Sequence, residues 1–188
     1  VTELRNGIAW ISDDADVAHS AVDTEWRDLR DGSSVLISAL AAEDKASIAA
    51  WYAERFAELS PETMYARLCG LLESVSRFAE NIADHRAVRA FAPDGVIVGI
   101  ARCTRSDGAD QRAHGKLSLA VARAWRDRGV ASALVERIAQ SAQEVGIEHL
   151  TASCPMTDPA LVRVLSRLGP ATVVPVGAHA VDIQVELE

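Results

Sequence analysis

The sequence predicts an α/β fold built on a sheet of mixed, mostly antiparallel direction, and three observations predict it. KLSLAVARAW, at 116–125, puts Leu117, Leu119 and Val121 at alternate positions as a strand does, and GVASALVERIAQSAQEVG beyond it carries apolar residues at helical spacing. AVRAFA and VIVGIARC ahead of it are separated by Pro93-Asp94-Gly95, where proline fixes φ and glycine permits a positive one, so the two runs read as an antiparallel hairpin. HLTASC, then DPALVRVLSRLG, then TVVPVG and AVDIQVEL follow as strand, helix and two closing strands. One strand-helix-strand crossover set among antiparallel neighbours gives the sheet its mixed direction.

Taken in order, residues 1–32 are mixed in character, with Trp10 and Trp26 as their large aromatics, and end in the turn signal Asp31-Gly32. They are expected to form an N-terminal extension packed on a domain spanning 33–188. SVLISAL, at 34–40, reads as a strand. Glu43-Asp44 opens a helical stretch through Ile48, Trp51, Tyr52, Phe56 and Leu59. Ser60-Pro61-Glu62 fits an N-cap with proline at the first helical position, so a second helix is expected through Met64 and Leu68, and 71–84 also reads as helical. The polar link 106–115 leads into the KLSLAVARAW strand, and the long helix after it is expected to end near Gly146.

Composition narrows the function classes. At 188 residues with 49% apolar content the chain can bury one domain core, and no run approaches the length of a membrane span. The start, VTELRNGIAW, lacks a basic-then-apolar signal pattern, so a soluble cytoplasmic protein is expected. Against 19 basic residues stand 27 acidic ones, a net charge of -8 that repels a phosphate backbone and argues against a nucleic-acid partner. Cys69, Cys103 and Cys154 are far apart and lack metal-ligand spacing, so they read as small buried hydrophobes, and no metal is expected.

Arg126-Asp127-Arg128-Gly129-Val130-Ala131, the loop between the 116–125 run and the long helix, is where a ligand is expected. The first N–H groups of a helix lack intrahelical partners and sit at the positive end of its dipole, so they can receive a phosphate. Gly129 lets a phosphate approach the backbone closely. Arg123, Arg126 and Arg128 add local positive charge; a solvated turn is the plainer account of the same three residues.

In this context the chain resembles the GNAT acetyltransferase superfamily, whose acyl-CoA loop follows the fourth strand with the pattern Q/R-x-x-G-x-G/A. Arg126, Gly129 and Ala131 match its three defined positions, and the resemblance runs from about residue 30 to the end. A narrower likeness is to the bacterial protein-lysine acetyltransferase branch, carried by LRDGSSVLISALAAEDK and by AELSPETMYARL, which is similar to that branch's Leu-Ser-Pro-Glu-Ser helix start. Members of the branch can be fused to cyclic-nucleotide-binding or acyl-CoA synthetase-like modules; with a short extension ahead of the domain, neither is expected here. The resemblance implies splayed parallel central strands flanked by helices, with acetyl-CoA as co-substrate in the cleft between them. The N–H groups of Arg128, Gly129, Val130, Ala131 and Ser132 would then receive the pyrophosphate, with charge-assisted contacts from Arg126 or Arg128. The backbone of Leu119 and Val121 would line the pantetheine arm through edge hydrogen bonds that the splay frees. Leu119 and Val121 also read as ordinary core positions.

Two positions depart from the family pattern. In the branch that this chain resembles, a glutamate stands nine residues before the position of Trp125; here that place is Lys116, and a protonated lysine cannot accept a proton. In the helix after the fifth strand, relatives carry an asparagine near the start and a tyrosine near the end, where this chain aligns Asp158 and Leu165. Leucine cannot protonate a thiolate, and Asp158 followed by Pro159 reads as a helix cap. His114 is the substitute base candidate, two residues before Lys116 on the same strand face if the strand reaches that far. Glu80, Asp107, Asp110, His149 and Cys154 are further candidates, with Cys154 either facing the cleft or buried. Three functions stay open: an N-acetyltransferase moving an acetyl group to an amine, such as a protein lysine, by direct attack; a catalytically impaired acyl-CoA-binding regulatory domain; and a structural domain with no CoA site. Final strands in this superfamily often join subunits, so a homo-oligomer is among the expectations.

Overall fold

The computed structural model describes residues 24–40, 51, 85–107, 113–155, 159–177 and 180–187. Eight strands form one sheet in the order β1-β2-β3-β4-β5-β6-β8-β7, with all neighbours antiparallel except β5 and β6. They are β1 (Thr24–Asp28), β2 (Ser34–Ala39), β3 (His85–Phe91), β4 (Ile97–Asp107), β5 (Ala113–Val121), β6 (His149–Pro155), β7 (Ala171–Val176) and β8 (Ala180–Glu186). Two α-helices are described beyond β5: α1 (Val130–Gln143), which leads into β6, and α2 (Pro159–Leu165), which follows it. A mixed, mostly antiparallel sheet flanked by helices is the fold class read from the sequence.

Packing of α1 follows from its periodicity. Val130, Leu134, Val135 and Ile138 are wholly buried and lie against β2, β3, β4 and β5. Each such side chain contributes about 2 kcal/mol by leaving water. The opposing wall is supplied by Val35, Ile37, Val88, Ala90, Val98, Ala101 and Cys103. The other sheet face has a smaller apolar patch, where buried Trp51 packs on Ile100 and donates from Nε1 to the carbonyl of Ile97 at 2.8 Å.

Where the elements differ from expectation, the reasons are local. Thr24–Asp28, inside the stretch read as an extension, is an edge strand paired with β2, and Arg27 reaches Glu136 of α1 at 3.9 Å. Its sequence, TEWRD, has no apolar face to betray a strand. The run 116–125 is not one strand: β5 begins at Ala113 and stops at Val121, and Arg123–Trp125 is a single 3-10 turn. The break comes where the Ala122 N–H donates to the carbonyl of Val98 and the Trp125 N–H turns back to that of Ala122, both at 2.8 Å. The early start rests on Gly115, where a Cβ would collide with Cys103 Sγ and lie 2.8 Å from Leu150 Cδ2. Only a glycine lets β5 approach β6 there. The helices expected over 43–84, apart from Trp51, lie outside the described residues, as do Cys69, Glu80, Asp110 and Asp158.

Candidate functional site

β5 and β6 are in register for three pairs: His114 with His149, Gly115 with Leu150 and Lys116 with Thr151. Past Lys116 the strands part. Leu117–Val121 continue along β4 on one side, and Ala152–Pro155 along β8 on the other, so the edges that face each other carry no ladder between them. The expected splay is therefore present, with its root at His114 and His149, whose rings stack at 5.0 Å.

At the open end of the splay lies a cavity of about 530 Å³. Leu119 and Val121 of β5, the loop residues Trp125, Arg126, Asp127 and Gly129, and Ala131 and Ser132 of α1 form one wall. The facing wall comes from Ala160, Leu161, Arg163 and Val164 of α2 with Arg167 just past it, and Arg30 closes the site from the β1–β2 turn.

The loop's conformation is the one an open helix terminus needs. Asp127 (φ 61) and Gly129 (φ 113) both take left-handed backbone, and Gly129 is the N-cap of α1 with no side-chain cap. Glycine brings no carboxylate or hydroxyl of its own to the terminus, whose first N–H groups lack intrahelical acceptors. From outside, the Arg30 N–H donates to the carbonyl of Arg128 at 3.1 Å.

Six of the eight residues expected to touch a cofactor line this cavity: Leu119, Val121, Arg126, Gly129, Ala131 and Ser132. Arg128 does not. Its guanidinium lies over the Trp125 ring at 4.9 Å and pairs with Asp31 at 3.5 Å. Val130 buries its side chain completely in the core, which leaves only its N–H at the terminus. Arg126 folds back so that Nε donates to the Val121 carbonyl at 3.4 Å, capping the end of the free β5 edge. Arg30, Arg163 and Arg167 were not singled out from the sequence. For the latter two a signal existed, since their spacing of four puts them on one face of a helical segment.

The described proton-transfer candidates fall elsewhere. Gly115 faces the α1 side, so by alternation His114 and Lys116 face the other, Lys116 exposed at the last pair before the strands part. Leu165 is 1% exposed and belongs to the core, so the α2 positions on the cavity are Ala160, Leu161, Arg163 and Val164. None of these side chains can supply a proton at neutral pH. Cys154 is buried in the same core, away from the cavity lining, and burial pushes the Cys103 thiol up to about 12, which rules it out as a thiolate nucleophile. Asp107 ends β4, paired with Ala113 beyond the root of the splay. Among the described residues no group of three His, Cys, Asp or Glu could hold a metal ion, and no helix is long and apolar enough to cross a membrane.

Comparison with known proteins places this geometry. The model of the acetyltransferase (GNAT) family matches residues 45–169, well over half of the chain. No curated protein sequence shows a significant match. Among solved structures, the GNAT domain of S. lividans PAT superposes with a TM-score of 0.65 at 22% identity, covering 87% of this chain and 97% of that one. A cAMP-binding acyltransferase from Mycobacterium smegmatis gives 0.59 at 20% identity over 88% of this chain, which spans only 47% of the mycobacterial protein. The Salmonella typhimurium protein yncA, determined with its cofactor acetyl-CoA, gives 0.60 at 19% identity, with 82% and 94% covered. At these identities the likeness is one of fold.

Proposed function

Because the chain belongs to the acetyltransferase (GNAT) family, whose activity is acyl-CoA-dependent N-acetyl transfer, we propose that it moves an acetyl group from acetyl-CoA to an amine by direct attack, a protein lysine being one candidate acceptor. The observation that carries this reading is a coincidence of place. The β5–β6 splay, the uncapped terminus of α1 and four arginines all border one cavity, in a chain whose net charge is -8.

The residues present suit such a co-substrate. A pyrophosphate needs donors that are not already satisfied, and the N–H groups at Gly129, Val130, Ala131 and Ser132 are of that kind. Arg126 and Arg30 bring charge to the same wall. The unpaired β5 edge at Leu119 and Val121 offers the pantetheine amides strand-like partners once Arg126 releases the Val121 carbonyl. From the terminus of α1 back to Lys116 the free edge covers Leu117–Val121, roughly 16 Å at strand rise, a length suited to an extended pantetheine arm. That arrangement would bring the thioester to the parting of the strands, close to Lys116.

When bound, acetyl-CoA supplies the activated carbonyl: a neutral amine forms the N–C bond, the C–S bond breaks, and CoA leaves as a thiol. The chain's own contribution is then binding and orientation. Lys116 is exposed and brings no carboxylate to this place, and among the described residues the α2 wall carries no acid. With no carboxylate placed there among the described residues, proton removal is assigned to water, with His114 a titratable candidate on the Lys116 face.

These two features also favour a second reading, an acyl-CoA-binding regulatory domain impaired in catalysis. The deciding experiment is CoA release from acetyl-CoA across a panel of small amines and lysine-containing proteins. Turnover above the uncatalysed rate supports the enzyme; saturable acetyl-CoA binding with no turnover anywhere in the panel supports the regulatory domain.

A further inference from the structure

Four arginines face the cavity, and they come in two groups. Arg30 and Arg126 stand beside the α1 terminus, whereas Arg163 and Arg167 stand on the opposite wall, one helical turn apart. Elsewhere in the chain, Arg27 pairs with Glu25 and Glu136, Arg128 with Asp31, and Arg105 donates to the Val145 carbonyl. Among the described residues neither the Arg163 nor the Arg167 guanidinium has an ion-pair partner, and both side chains are exposed. Like charges at this spacing repel each other, and a chain with a surplus of acidic residues could readily have neutralised them. Their purpose is therefore to be sought in an anion that enters the cavity.

The amide groups at Gly129–Ser132, with Arg126, suffice for a pyrophosphate. CoA carries one more anionic group, the monophosphate on its ribose 3′ oxygen, which is a dianion near neutral pH and has three acceptor oxygens. Two guanidinium groups on one wall of the cavity match that group in charge and can supply its donors. Leu161 and Val164, which line the same α2 wall, give an apolar surface that the adenosine can lie against.

We infer that Arg163 and Arg167 form a second anion subsite, which takes the 3′-phosphate of CoA and makes the protein discriminate CoA from dephospho-CoA. The inference rests on the acyl-CoA reading above. The test is calorimetric titration of the wild-type chain and of the Arg163→Ala/Arg167→Ala double variant with CoA and with dephospho-CoA, which lacks only that phosphate. The wild type is expected to bind CoA at least about tenfold more tightly, as charge-assisted hydrogen bonds allow. In the double variant the preference should collapse toward unity while affinity for dephospho-CoA stays within about twofold. Equal wild-type affinity for the two ligands, or a preference that survives in the variant, overturns the subsite and leaves the acyl-CoA reading standing. Binding of neither ligand to the wild type overturns both.

Discussion

The backbone N–H of Arg30 donates to the carbonyl of Arg128 at 3.1 Å, which ties the β1–β2 turn to the loop that leads into α1. A second tie joins neighbouring residues, Arg128 to Asp31 at 3.5 Å. The edge strand β1 thus has a task at the cavity, where it holds from outside a loop that contains two left-handed residues. Because the site sits on main chain held this way, its responses to substitution separate from one another.

Asp31→Asn keeps the shape of the turn and removes the ion pair. Its carboxyl is held below the ordinary 3.8, first by the Ser33 hydroxyl, then by the Ser33 N–H, with Arg128 a smaller influence. A depressed carboxyl stabilises the fold above its unfolded value and loses that contribution as pH falls through the folded one. At pH 7 the contribution is intact, so Asp31→Asn should weaken acetyl-CoA binding by a factor of about two to five, the range of an exposed ion pair. An NMR titration should find the Asp31 midpoint below 3.8, and Ser33→Ala should raise it more than Arg128→Ala does.

Gly129→Glu sets a carboxylate where phosphate is expected, and Gly129→Ala adds only a methyl group. An alanine Cβ there has ordinary contacts, the nearest 3.8 Å away at Arg30, so the cost comes from φ 113. That strain is about 1–2 kcal/mol and is read from thermal or urea unfolding. Gly129→Ala should lose stability while still binding acetyl-CoA, whereas Gly129→Glu should lose binding by about a hundredfold or more. Arg126→Ala should bind about tenfold more weakly, with stability unchanged.

If no group beyond the described residues supplies a base at the parting of the strands, turnover depends on the fraction of acceptor that is already neutral. Below the amine's pKa, kcat/KM should rise about tenfold for each pH unit. Lys116→Glu places a carboxylate at the last β5–β6 pair; it should raise the rate near pH 7 by about tenfold or more and flatten that slope. A flat wild-type profile between pH 6.5 and 8.5 would show that another group removes the proton.

Leu165 tests whether α2 ever presented an acid at that position. Buried at 1% exposure among core residues, it should cost about 2–5 kcal/mol when cut to alanine. Leu165→Tyr should also destabilise, by overpacking, and should not raise the rate. A rate gain in that variant would mean that the side chain reaches the cavity.

The legibility of this fold in its sequence tracks where burial was strongest. The α1 stripe of Val130, Leu134, Val135 and Ile138 and the Pro93-Asp94-Gly95 turn were readable because periodicity and turn chemistry pointed the same way. β1 was missed, since TEWRD lies half exposed at an edge and has no apolar alternation. The start of β5 was hidden by Gly115, which looks like a loop residue until Cys103 and Leu150 are seen against it. Of the site, the loop could be read as a local motif. Arg30, Arg163 and Arg167 could not be tied to it, because they come from segments far along the chain and meet the loop only through the tertiary fold. The loss of Leu165 from the cavity is likewise a matter of helix rotation, which a one-dimensional alignment does not contain.

The central claim is that the amides at the start of α1 receive the phosphates of an acyl-CoA. The most direct measurement follows the backbone amide resonances of Gly129, Val130, Ala131 and Ser132 in ¹⁵N-labelled protein during titration with acetyl-CoA. The account predicts that these four shift early and saturate together with Leu119 and Val121 on the free edge of β5. Resonances that stay in place while acetyl-CoA binds elsewhere, or an absence of any response at millimolar ligand, would contradict it.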